Sequence, residues 1–82
     1  MDELQRRVVR HVRELARERK MPLSHLPDRA AVARSHFWDV LAGRKSPTLK
    51  WLARIAEALE VDPGELVAKR REPDRGPRGA PR

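Results

Sequence analysis

The sequence predicts an all-α fold, and three observations carry that expectation. Apolar residues recur at helical spacing along most of the chain. Residues that start and stop helices bracket the apolar stripes, as in "SPT" at 46–48, "DPGE" at 62–65 and Gly43. Val, Leu and Ala supply most of the apolar content, while Tyr is absent and Phe occurs once, a composition that favours helix over strand.

The first helix is expected over about residues 3–20. Leu4, Val8, Val12, Leu15 and Ala16 form one amphipathic stripe. Asp2 and Glu3 at its start, and Arg17, Arg19 and Lys20 at its end, oppose the helix dipole. A short second helix is expected over about 25–31, with Leu26 and Ala30 inward. Ser24 as its N-cap would put Pro27 in the first turn, where the missing N–H is not needed.

After a tight turn at 31–33 comes a third helix. Phe37, Val40 and Leu41 face inward, and Gly43 is its left-handed stop. "RKSP" is a loop. The fourth helix has Leu49, Leu52, Ile55, Ala56 and Leu59 inward, and either Ser46 or Thr48 as its cap. The fifth starts at Asp62–Pro63, with Glu65 reaching back and Leu66 and Val67 inward.

Residues 1–70 are expected to form one domain, and 71–82 a disordered tail rich in Pro, Gly and Arg. A domain this small buries only about 60% of its unfolded surface, so its core has little to spare.

Composition also excludes several classes. There is no Cys, hence no disulfide or cysteine zinc site. No apolar run reaches signal-peptide or membrane-span length, so a cytoplasmic protein without a membrane partner is expected. His11, His25 and His36 share no metal-ligand spacing. The two Ser–His dipeptides, 24–25 and 35–36, would point about 100° apart on a helix and cannot pair as nucleophile and base. No enzyme, cofactor, metal or small-molecule substrate is expected.

The net charge of +7 suggests a polyanionic partner. More than half of it comes from residues 68–82, and residues 1–67 are only mildly basic.

Five short helices with a tight turn between the second and third suggest helix-turn-helix. From Val8 to Val67 the chain resembles the Cro/C1-type (lambda-repressor-like, xenobiotic-response-element) DNA-binding domain. The resemblance is carried without a gap by Leu26, "AAVARS", "LAGRKSPTL" and "LARIAEALEVDPGELV". It implies a five-helix domain in which the third helix enters the major groove of double-stranded DNA. Arg34, Ser35 and Asp39 match the family's base-reading positions. Ser24, His25, Arg44, Lys45 and Ser46 would meet the phosphate backbone.

The family's dimers, joined near helices four and five, imply a homodimer. Trp51 would then be an interface anchor, or else an edge-of-core residue. Trp38 either packs on its neighbours or contacts DNA or a protein partner.

The chain departs from the pattern at three places. Pro22 and Leu23 replace the polar start of helix two, Ala33 replaces the Ser or Thr cap of helix three, and Asp39 is acidic. Ala16 and Leu41 replace a buried ion pair with two apolar residues, a change that is often neutral or stabilising. The expected function is a sequence-specific transcriptional regulator. The alternative is a protein-interaction module on the same fold, an antitoxin or anti-regulator.

Overall fold

Asp2 opens the chain's first helix by accepting a hydrogen bond from the Gln5 backbone N–H at 2.8 Å, which satisfies one of the donors every helix start leaves open. The computed structural model describes residues 1–69. It places α1 at Glu3–Glu18, α2 at Leu26–Ala30, α3 at Arg34–Leu41, α4 at Leu49–Leu59 and α5 at Pro63–Val67, with no strand among the described residues. The predicted tail, 71–82, lies outside those residues.

α1 ends two residues before its expected limit, because Lys20 turns left-handed (φ 54°) and the Met21 N–H bonds back to Ala16. Pro22 then starts a 3-10 turn, Leu23–His25, that leads directly into α2. This corrects the sequence expectation for α2. Ser24 does not cap it; His25 occupies the cap position in helical conformation, with no side-chain cap bond. The chain is already coiled when it reaches Leu26, so no extended capping residue is required. Pro27 does lie in the first turn, as expected.

Ala31 closes α2 in a left-handed conformation (φ 58°) and leads to α3 through an extended Ala33 that supplies no side-chain cap. Gly43, at φ 86°, ends the α3 segment in the region that suits a residue without Cβ. Between the two candidate caps of α4, the structure uses Thr48, whose Oγ1 accepts from the Trp51 N–H at 3.0 Å. Asp62 caps α5 through Gly64, and the Glu65 backbone N–H bonds to the Asp62 carbonyl. The Glu65 carboxylate is not what closes this cap.

One core joins all five helices. Val8, Val12 and Leu15 of α1 meet Leu26, Phe37, Val40, Ile55, Leu59 and Leu66. α1 packs on α4 and α5, while α2 is held between α3 and α4. Ala16 and Leu41 are both buried there.

Two residues predicted to face inward do not. Leu4 is 50% exposed and Leu49 is 85% exposed. Each sits in the first turn of its helix. Periodicity reports rotation about a helix axis, not how far along that axis the neighbours reach.

Candidate nucleic-acid interface

α3 is anchored from one side only. Phe37, Val40 and Leu41 are buried, while Arg34, Ser35 and Trp38 are exposed and His36 and Asp39 are half-buried. The Phe37 ring is wholly inaccessible and lies 6.1 Å from the Trp51 ring, with Trp38 edge-on at 5.1 Å. α4 braces the preceding turn: Arg54 donates to the Ala31 carbonyl at 3.1 Å.

The two charged residues assigned to base reading are both paired within the chain. The Arg34 guanidinium grips Asp28 of α2 side-on, with Nε to Oδ1 at 3.3 Å and Nη2 to Oδ2 at 2.7 Å. Both side chains are 64% exposed, so the pair acts mainly as an orienting device and contributes little to stability. Asp39 accepts from Arg44 at 3.0 Å. That contact is the ion pair a carboxylate among basic neighbours would be expected to make, and it draws Arg44 back over the end of α3.

The hydrogen bond from Arg34, and then the Arg34 charge, hold the Asp28 carboxyl below its ordinary value of 3.8; the same bond, and then the negative charge of Asp28, raise Arg34. The pairing is therefore complete above the ordinary Asp range and is lost as pH falls through the lowered value. A carboxyl-detected NMR titration is expected to place Asp28 below 3.8, and Arg34→Ala to return it toward that value.

Ser24 and His25 lie exposed on the 3-10 turn, and Arg44, Lys45 and Ser46 lie exposed on the α3–α4 loop. The loop is tied to α1 by a contact the sequence does not reveal. The buried Gln5 side-chain amide donates to the Lys45 carbonyl at 2.6 Å and to the Val40 carbonyl at 3.5 Å. A polar residue at a core-facing angle of α1 was the only available signal. For Asp28, the signal was an acid six residues before a base across a tight turn.

Trp51 is only 3% exposed. It fills the core beneath α3, its indole N–H finding no acceptor among the described residues, and so is not placed to protrude as a dimer anchor. α4 packs on the core from Trp51 and Leu52 onward, while Leu49 at its start is exposed. Trp38 is 40% exposed, resting on Phe37 by one edge.

His11 is buried with its Nδ1 at 3.2 Å from the Leu66 carbonyl, which fixes Nδ1 as the donor and ties α1 to α5. No group of three or more His, Asp or Glu able to hold a metal occurs among the described residues. No helix among them is long and apolar enough to cross a membrane.

The family described as "Helix-turn-helix domain" matches residues 7–69. The chain belongs to the helix-turn-helix domain family. This is a family of DNA-binding domains and not of enzymes, and the match is consistent with the Cro/C1-type resemblance. In this helix-turn-helix domain, α2 and α3 are the paired helices and Ala31–Ala33 the turn between them. A search of curated proteins found no match to the chain.

Proposed function

We propose that this helix-turn-helix domain is a sequence-specific transcriptional regulator that lays α3 in the major groove of double-stranded DNA. One observation carries the reading: α3 is buried along Phe37, Val40 and Leu41 and offers Arg34 and Ser35 to solvent at its N-terminal end. That end is the part of a recognition helix that reaches base edges. Because Asp28 holds the Nε side of Arg34, the outer fork of the guanidinium keeps its N–H groups directed away from the protein. A guanine presents two acceptors that match such a fork.

Ser35 would bond either type of base, and Asp39, once released by Arg44, a cytosine amino group. Ser24, His25, Arg44, Lys45 and Ser46 would serve as phosphate contacts that set the register. One short helix reads few base pairs, so action as a homodimer on a two-fold-symmetric operator follows from the economy of recognition. Sedimentation at binding concentrations measures that state directly.

The test is a shift assay with genomic fragments, including the protein's own promoter, at physiological salt. Wild type is expected to select among fragments. Arg34→Ala is expected to lose about 1–3 kcal/mol of discrimination, the worth of a bidentate base contact, while keeping most affinity for unrelated duplexes. Equal retention of every fragment by wild type and Arg34→Ala would overturn the base-reading role. Retention of a protein but of no fragment would favour the interaction module, to which the exposed Trp38 indole offers a ready contact.

A further inference from the structure

Arg6, Arg10, Arg13 and Arg17 follow one another at intervals of four, three and four on α1. That spacing sets them in a single row along one flank of the helix. All four are exposed and line a shallow groove with Val9 and Met1. Glu14 also borders this groove. Arg7 lies off the row and is bound to Glu3 and to the Val67 carbonyl.

The row's position matters as much as its charge. It lies on the flank of α1 that carries Gln5 and Val9, away from the flank where His11 meets α5. Arg6 adjoins Gln5, which is bonded to Lys45, and Met1 at the head of the groove lies against Gly43. The row therefore begins at the loop carrying Arg44, Lys45 and Ser46 and runs away from it.

We infer that the arginine row is a second phosphate-binding track, which holds the duplex backbone beyond the site read by α3. The inference rests on the DNA-binding reading above. Charge selects the occupant. A second copy would bring the same row and repel it, and the chain's own residues 70–82 are also basic, with five Arg against two acids. Eleven residues of helix rise about 16 Å, and a duplex strand presents a phosphate about every 3.4 Å along its axis. The row is thus long enough to follow several phosphates, and its continuity with the loop favours the same duplex over a separate polyanion.

The experiment compares two duplexes sharing one selected site: one trimmed to it, the other extended by about one helical turn, roughly 10 base pairs, on each side. The proteins are wild type, the triple variant Arg10→Gln, Arg13→Gln, Arg17→Gln, and the corresponding Lys triple. Gln retains nearly the helix propensity of Arg, and thermal unfolding confirms that each variant folds.

Wild type and the Lys triple are expected to bind the extended duplex more tightly than the trimmed one. The Gln triple should lose most of that gain, and its log–log salt slope on the extended duplex should be shallower by about 2–3, at about 0.9 per phosphate released. Selection among trimmed sites should be the same in all three. An equal gain and equal slope in the Gln triple would overturn the track. So would a wild type that gains nothing on extension, including one that instead binds RNA or an acidic protein through these arginines. Loss of selection on the trimmed site by wild type itself would point to failure of the base-reading proposal instead.

Discussion

Phe37→Ala is expected to lower the unfolding free energy by about 3–5 kcal/mol, the usual cost of emptying a buried aromatic site. Native stability runs at roughly 0.05–0.15 kcal/mol per residue, so a domain this small would lose much or all of its cooperative fold. The reason is position. Phe37 is the largest of the three side chains fastening α3 to the core, and its ring is fully inaccessible, with Trp38 and Trp51 as ring neighbours. The α3 stretch is only eight residues and lacks a side-chain cap, too short to persist on propensity alone. Urea titration followed by circular dichroism measures the loss. A midpoint close to wild type would show that α3 is held by something other than Phe37.

Gln5→Ala is expected to cost about 1–3 kcal/mol of stability, because the substitution takes the side-chain donor from the part-buried Lys45 carbonyl. The Val40 carbonyl, which Gln5 reaches at 3.5 Å, keeps the Gly43 N–H. The consequence for binding is separate. With its tether to α1 gone, the 43–46 loop should no longer present Arg44, Lys45 and Ser46 in a fixed geometry. Affinity should then fall for all duplexes alike, since phosphate contacts position without specifying. Denaturant midpoints and the same shift assay read the two effects. Unchanged stability, or a change in which fragments are preferred, would contradict the tether.

The contrast between these residues shows what could be read before the fold was known. Phe37 was legible, because a lone aromatic spaced three and four residues from Val40 and Leu41 has one reasonable direction to face. Asp62, Pro63 and Gly43 were legible for the same local reason: a helix end is made from residues within about four positions of it. Ser24 misled because a cap is needed only where the chain enters a helix extended, and here a 3-10 turn precedes α2. Leu4 and Leu49 show the limit of periodicity. It reports the angles of residues about the helix axis but does not know where the opposing helix stops.

The candidate interface divides along the same line. Arg34, Ser35, Lys45 and Ser46 are candidates by their positions in the helix-turn-helix pattern, and the structure shows all four exposed. Their settings were not legible. The Asp28 grip on Arg34, the Arg44 clasp on Asp39 and the Arg54 brace on Ala31 depend on helices meeting at particular angles. The arginine row on α1 was present in the letters. Its proposed role rests on the row starting at the α3–α4 loop and lying away from α5.

By itself, the amino-acid sequence determined the helical class, most helix ends, the inward residues of α3 and membership of the helix-turn-helix family. Each of these depends on neighbours in the chain or on a pattern continuous along it. Only the tertiary structure decided which polar groups hold α3 and the loop after it in place, which charges are spoken for, and which apolar residues fall outside the core. Gln5 and Lys45 stand 40 residues apart, and a contact of that separation exists only once α1, α3 and α4 have closed on one another.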